Sequence, residues 1–224
     1  MNLSKSREVF DPINIEDDEV VIIGCGAIGS SVALMLARMG VENFTLYDMD
    51  TVSEHNLANQ NYNVTDIGEE KTVATMNHIL AINPDAKVRL RGEYKAQRLE
   101  GYVFLAVDNI EIRKQICELN RNNTQIKFVF DFRMGLYNAQ TYCADWSDYN
   151  SKEKLIASMD FSHEDAKQNT PVSPCGTTLN VITTVMSVVA LGCTQFIKAV
   201  NGEAVAHMII TDVHNASTLA INIK

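Results

Sequence analysis

Short apolar runs alternate with segments of helical periodicity along most of this chain. The first run, Val20–Ile23, is uninterrupted, which is typical of a strand buried on both faces of a sheet. Residues 30–39 carry apolar side chains at helical spacing and stop at Gly40, and Asn43–Tyr47 follows as a second strand. This order predicts a strand–turn–helix–strand unit.

The same alternation continues towards the C-terminus. We predict further strands at 87–94, 102–107, 128–132 and 135–144, helices at about 66–82, 111–120 and 178–199, and one or two closing strands within 206–223. The fold class is therefore α/β, a Rossmann-like and mostly parallel sheet flanked by helices, with antiparallel strands in the C-terminal part.

The chain is predicted to form a single domain. Residues 1–18 are polar and form an N-terminal arm, and residues 19–224 form the domain itself. Within it, residues 145–174 are polar with few core-forming runs, which is typical of a functional or flexible loop.

Composition narrows the classes of function. A net charge of −9 argues against nucleic-acid binding, which needs a basic face. No window approaches the roughly 18 unbroken apolar residues of a membrane span, and the first residues lack a signal-peptide core. The five cysteines are scattered without a C-x-x-C pair, so we expect no zinc site, no disulfide framework and a cytoplasmic location.

A glycine-rich turn joins the first strand to the first helix. Gly24, Gly26 and Gly29 have the G-x-G-x-x-G spacing, with Ala27 and Ile28 inside the motif. Such a turn presents backbone N–H groups to a phosphate, and an acid at the tip of the second strand, here Asp48, can bind a ribose. A nucleotide site is the hypothesis, and a purely structural turn is the alternative.

The residues after Asp48 suit a triphosphate better than a nicotinamide. The polar loop to Gln60 includes Asp50, Asn56 and Asn59. Lys71 lies in the first turn of the next helix, where a cation is unfavourable unless an anion faces it; a surface lysine is the alternative.

Asp108 follows a buried strand and is a candidate for metal binding or for positioning a nucleophile. Acids at the carboxyl ends of parallel strands face the ligand crevice. A helix N-cap is the alternative role.

Four ordered motifs together resemble one family. They are GCGAIGS (24–30), YDMDTVSEHNLANQ (47–60), DIGEEK (66–71) and AVDN with an arginine four residues on (106–113). The series resembles the ThiF/MoeB/HesA superfamily, adenylyltransferases related to ubiquitin-activating enzymes. The resemblance covers roughly residues 18–145 and extends to the small-residue helix near 176–199.

The resemblance implies an enzyme that uses ATP and Mg²⁺. It would adenylate the C-terminal carboxylate of a small ubiquitin-like or sulfur-carrier protein, or of a peptide, and would act as a homodimer without nucleic acid or membrane. The implied roles are phosphate contacts from Gly24, Gly26, Gly29 and Asn56, ribose binding by Asp48, charge stabilisation by Lys71 and Mg²⁺ binding by Asp108. Ala27, Ile28, Asp50, Asn59 and Gln60 complete the expected nucleotide site.

One position departs from the family pattern. The pattern N-L-x-R-Q has a phosphate-binding arginine where this chain has Asn59. Either another cation substitutes, or the protein is a catalytically silent scaffold subunit, because a neutral amide cannot replace a bidentate guanidinium. In family homodimers an N-terminal arginine reaches the neighbour's site, and Arg7 is its counterpart here.

Cys175 is a candidate acceptor for an acyl group or sulfur. It precedes the last long helix, and a helix N-terminus favours the thiolate. A structural cysteine is the alternative, and the other four cysteines are expected in the interior.

An ATP-dependent adenylyltransferase is therefore the leading hypothesis, with loop 145–174 expected to cover the substrate tail. A scaffold subunit is the second hypothesis. A nicotinamide-dependent oxidoreductase is the third, and it leaves Asn56, Lys71 and Asp108 unexplained.

Overall fold

One mixed β-sheet of eight strands runs through the described part of the chain, flanked by five α-helices. The structure, a computed structural model, describes residues 1–162, 164–165 and 179–222. The strands are β1 (Val20–Ile23), β2 (Asn43–Tyr47), β3 (Lys87–Arg91), β4 (Gly101–Leu105), β5 (Ile126–Met134), β6 (Asn138–Asp145), β7 (Met208–Asp212) and β8 (Ser217–Ile221). The helices are α1 (Ala27–Arg38), α2 (Lys71–Ile82), α3 (Ile110–Leu119), α4 (Tyr149–Ala157) and α5 (Ile182–Val200).

The strand order is β3-β2-β1-β4-β5-β6-β7-β8. Neighbours from β3 to β5 are parallel, whereas β6, β7 and β8 are antiparallel to their neighbours. This confirms the predicted α/β class with antiparallel C-terminal strands. Ile23 lies beside both Tyr47 and Leu105 in register. The first, second and fourth strands therefore end at one level, and the segments that follow them emerge side by side.

Helices cover both faces of the central strands. α1, α2 and α5 contribute to the core on one face, and α3 and α4 contribute to the core on the other. Phe196 of α5 packs against Phe104 and Phe130, with ring centroids 5.7 and 6.0 Å apart. On the opposite face, Trp146 and Leu155 are buried. Strands β1 and β4 therefore need apolar side chains on both sides, which explains their uninterrupted apolar runs.

The long helix α5 belongs to this core. Its length and apolar composition would suffice to cross a membrane. Val185, Val189, Cys193 and Phe196 are nevertheless buried in the same core as the sheet. The helix predicted at 178–199 is confirmed over Ile182–Val200, and packing against the sheet accounts for its apolar stripe.

The predicted N-terminal arm packs against the domain. A 3₁₀ helix spans Pro12–Ile15 and is capped by Asp11, whose side chain accepts a hydrogen bond from the Ile13 N–H. Phe10 and Ile15 are buried in the core shared by α1 and α5. This segment therefore adds apolar contacts to the domain.

The prediction of an irregular loop over 145–174 is wrong in its first part. Helix α4 lies there, and Asp148 caps it by accepting a hydrogen bond from the Ser151 N–H. Leu155 and Ile156 attach the helix to the sheet. The helix is short and contacts the sheet through few apolar residues. Its sequence therefore shows no clear helical spacing of apolar positions. Residues 163 and 166–174 of the predicted loop lie outside the described residues.

The glycine turn between β1 and α1 is shaped by close backbone packing. Gly24 has φ +96°, and a Cβ there would lie 2.8 Å from the backbone of Ala106. A Cβ on Gly29 would lie 1.7 Å from the carbonyl oxygen of Gly24, so only glycine lets α1 start this close to the strand. A Cβ on Gly26 would meet nothing within 4 Å.

We expect Gly29→Ala to destabilise the fold, because its added methyl group collides with backbone that cannot rotate away. The free energy of unfolding should fall by about 2 kcal/mol or more. Gly26→Ala is the matched control and should change it by less than about 1 kcal/mol. Urea unfolding followed by circular dichroism measures both, and equal stabilities for the two variants would contradict this account.

Candidate functional site

A cavity of about 750 Å³ lies at the carboxyl ends of the central strands. Its walls come from the glycine turn, the loop after β2, the start of α2, the segment after β4 and the end of β5. Ligand sites of open α/β sheets form at this edge.

Most of the predicted site residues meet in this cavity. Those that line it are Gly24, Gly26, Ala27, Ile28, Asp48, Asp50, Asn59, Gln60, Lys71 and Asp108. Gly29, Asn56 and Arg7 do not line it. Cys175 lies outside the described residues.

Asp48 joins the glycine turn to the loop that follows β2. One carboxylate oxygen accepts a hydrogen bond from the Cys25 N–H at 2.6 Å, and the other accepts one from the Asp50 N–H at 2.8 Å. These bonds hold the carboxylate in one orientation at the cavity wall. Each oxygen retains a lone pair for a further donor.

Lys71 is the first residue of α2, and its side chain is only 8% exposed. Its Nζ donates to the Asp50 carboxylate at 2.8 Å, and its backbone N–H donates to the Asp50 carbonyl at 2.9 Å. The surface-lysine alternative is therefore wrong. Lys71 is a buried cation at the cavity, placed there by Asp50.

Asn56 stabilises the polar loop from beneath the cavity lining. It is buried in the 3₁₀ helix Glu54–Ala58, and its side-chain oxygen accepts hydrogen bonds from the Ser53 N–H and hydroxyl at 2.9 and 2.8 Å. Its carbonyl also accepts the Gln60 N–H at 2.9 Å. In this structure Asn56 therefore orients the loop that carries Asn59 and Gln60.

Asn59, which replaces the family arginine, has a hydrogen-bond partner. Its side-chain amide donates to the side-chain oxygen of Asn180, and both residues line the cavity. This contact joins the loop after β2 to the residues that lead into α5.

Arg7 lies away from the cavity of its own chain. Its side chain is 64% exposed, and its Nε forms an ion pair with Asp11 at 3.1 Å. The arm that carries it packs near Gly40, at the far end of α1. Its expected role in a neighbouring copy stays a prediction.

Asp108 presents an exposed carboxylate at the end of β4. The N-cap of α3 is Asn109, whose side chain accepts the Ile112 N–H at 3.0 Å, so the alternative role of Asp108 as the cap is wrong. No group of three metal-ligating side chains occurs among the described residues. Mg²⁺ is usually held by one or two carboxylates together with substrate phosphates, and Asp108 fits that use.

Sequence analysis missed a buried charge cluster at the β5 end of the cavity. Asp131 lies between Arg113 and Arg133, and both arginines line the cavity. The available signal was a single acidic residue inside the otherwise apolar strand 128–132. Arg133 lies two residues further along the same strand, but the pairing with Arg113 could not be found from sequence, because Arg113 comes from α3.

The four described cysteines are confirmed as interior residues: Cys25, Cys117, Cys143 and Cys193. Burial raises the pKa of the Cys193 thiol to about 12 and raises the pKa of the other three as well. These thiols are therefore unreactive at neutral pH.

A family model described as the ThiF family matches residues 13–223. Ubiquitin-like modifier-activating enzyme 5 of Dictyostelium discoideum is 37% identical over 111 residues, which are 50% of this chain and 27% of that protein. The probable adenylyltransferase/sulfurtransferase MoeZ of Mycobacterium tuberculosis is 38% identical over 77 residues, 34% of this chain and 20% of that protein. The matches thus span about a quarter of these relatives' length.

A solved structure shares the fold. The crystal structure of E. coli MccB with MccA-N7isoASN matches with a TM-score of 0.73 and 16% identity, over 94% of this chain and 66% of that chain. The family model covers the glycine turn, the polar loop, α2 and the closing strands alike. This protein belongs to the ThiF family.

Proposed function

We propose that this protein is an ATP-dependent adenylyltransferase. Its substrate would be the C-terminal carboxylate of a ubiquitin-like or sulfur-carrier protein, or of a peptide. The observation that carries the proposal is the position of Lys71, a buried cation in the same cavity as a glycine turn and the Asp108 carboxylate. The names of the relatives, an activating enzyme and a probable adenylyltransferase, support the same chemistry.

The proposed reaction transfers an adenylyl group to a carboxylate. A carboxylate oxygen forms a bond to the α-phosphorus of ATP, the bond from that phosphorus to the bridging oxygen breaks, and pyrophosphate leaves. The products are an acyl adenylate and pyrophosphate, and no proton moves. Such a reaction needs positioning and cations more than a protein acid or base. Lys71 and Asp108 in the cavity support this proposal, as a cation and as a carboxylate that could hold Mg²⁺.

Each residue would have a role that follows from its position in the cavity. Backbone around Gly24 and Gly26 would face the phosphates, and Asp48 would accept a ribose hydroxyl with a lone pair that its two backbone bonds leave available. Lys71 would stabilise the charge that develops on the leaving pyrophosphate. Mg²⁺, held by Asp108 and the phosphates, would neutralise part of the triphosphate charge.

A scaffold subunit is the second candidate, and Asn59 favours it. Its amide contacts Asn180 and supplies no charge to a phosphate. The scaffold would show no adenylation and would not need to bind ATP, whereas the adenylyltransferase needs both. A nicotinamide-dependent enzyme would leave the buried Lys71 and the exposed Asp108 without a role.

We expect Lys71→Ala and Asp108→Asn each to lower the rate of ATP–pyrophosphate exchange by at least about 100-fold, because each removes charge stabilisation of the transferring group. The exchange is measured with Mg²⁺ and candidate carrier proteins. Lys5→Ala and Asp17→Asn change exposed residues outside the cavity and serve as matched controls. Exchange unchanged by the loss of Lys71 would contradict the assigned role. If the wild-type chain shows neither exchange nor ATP binding in calorimetry, the results favour the scaffold subunit.

Asp50→Asn provides a test that needs no carrier. The variant leaves the buried Lys71 ammonium without its ion partner. The free energy of unfolding should fall by about 1 kcal/mol, a small effect because Asp50 is 59% exposed. If the triphosphate binds Lys71, ATP with Mg²⁺ should raise the melting temperature of this variant more than that of the wild type.

Asp160→Asn, which breaks the exposed pair with Lys114, is the matched control and should show the wild-type response. An equal ATP-induced shift in Asp50→Asn and the wild type would count against contact between Lys71 and the triphosphate.

A further inference from the structure

The buried cluster at the β5 end of the cavity contains two arginines and one aspartate. Asp131 is 0% exposed, and its two oxygens are shared. Arg113 Nη1 lies 2.5 Å from Oδ1, and Arg133 Nε lies 2.6 Å from Oδ2. One carboxylate therefore forms ion pairs with two guanidinium groups.

The cluster carries one excess positive charge. The other hydrogen bonds of its arginines go to neutral acceptors: Arg113 donates to the carbonyls of Val107 and Phe132, and Arg133 donates to the carbonyl and hydroxyl of Ser158. No second carboxylate of the described residues forms an ion pair with either arginine. Residues 163, 166–178 and 223–224 contain no Asp or Glu, so their side chains cannot neutralise the cluster.

The excess charge is held rigidly at the cavity wall. The Arg133 side chain is 13% exposed, and its guanidinium stacks 4.2 Å from the ring centroid of Tyr142. The bonds to Asp131 and Ser158 fix the plane of the group. The Asp131 carboxylate compensates only one of the two buried positive charges, and an anion entering the cavity would compensate the other.

The cluster lies on the opposite side of the glycine turn from Lys71. β5 is two strands from β1, about 10 Å away at the usual strand spacing, and Asp108 follows the strand between them. Lys71 begins α2, which contacts α1 and β3 on the other side. If the triphosphate lies over the glycine turn with its leaving end at Lys71, the attacking group must approach from β5.

We infer that Arg133 binds the carboxylate of the incoming acyl substrate and orients it towards the α-phosphate. Asp131 positions Arg133, and Arg113 supplies the second positive charge that leaves the cluster cationic. This inference rests on the proposed adenylyltransferase function. It adds to that function a residue that binds the terminal carboxylate before any chemistry occurs.

Binding of a terminus can be measured without turnover. The probes are a synthetic peptide that ends in Gly-Gly with a free carboxylate, and the same peptide as its C-terminal amide. Both are titrated calorimetrically against the full chain with a non-cleavable ATP analogue present. Wild-type protein should bind the carboxylate peptide at least about tenfold more tightly than the amide.

Arg133→Gln should abolish this preference while leaving the affinity for the ATP analogue within about twofold. Arg133→Lys should retain part of it, because charge remains but the planar fork is lost. Arg89→Gln, an exposed arginine paired with Glu19 outside the cavity, is the control and should behave as the wild type. Thermal unfolding of each variant separates loss of binding from loss of folding.

A preference that survives in a folded Arg133→Gln variant would assign the cluster a purely structural role and overturn the inference. A wild type with no preference for the carboxylate would also overturn it. Neither result would remove the proposed function, which depends on ATP binding and on carrier-dependent exchange. If exchange occurs, Arg133→Gln should raise the KM for the carrier about 10-fold or more, and the KM for ATP should stay unchanged.

Discussion

The Asp48 carboxylate connects the parts of the site that the fold brings to one edge. It accepts the Cys25 N–H of the glycine turn and the Asp50 N–H of the following loop. Asp50 in turn holds the Nζ and the backbone N–H of Lys71. Three segments are thereby fixed to one another through two acidic side chains. These contacts need β1 and β2 to end at one level, which their parallel register provides.

The electrostatics of the cavity differ from those of the whole chain. The protein carries a net charge of −9, yet the cavity holds buried cations at two ends. Lys71 at one end is paired with Asp50, and the Arg113–Asp131–Arg133 cluster at the other keeps an excess positive charge. This distribution suits two anionic substrates that meet between the cations, since charges in a desolvated site act more strongly than on the surface.

The sequence was sufficient to predict elements that depend on contacts between residues close together in the chain. The apolar run of β1, the glycine spacing and the acid at the end of β2 predicted the turn and its position at the cavity, and Lys71 at the start of α2 lines the same cavity. Helix α4 was missed because its burial depends on the sheet beneath it. The packing role of Gly29 and the supporting role of Asn56 depend on atoms that approach only in the folded chain. The pairing of Arg113 with Asp131 likewise joins a helix to a strand.

We propose that a substrate carboxylate attacks the α-phosphate of ATP in this cavity. The most direct measurement follows a radiolabel on the α-phosphate of ATP during incubation with Mg²⁺ and a carrier protein or peptide. We expect the label to appear on the carrier as an acyl adenylate, with one pyrophosphate released for each labelled molecule. ATP that binds without any transfer of label to the carriers tested would contradict this account, and the absence of ATP binding would favour a scaffold subunit.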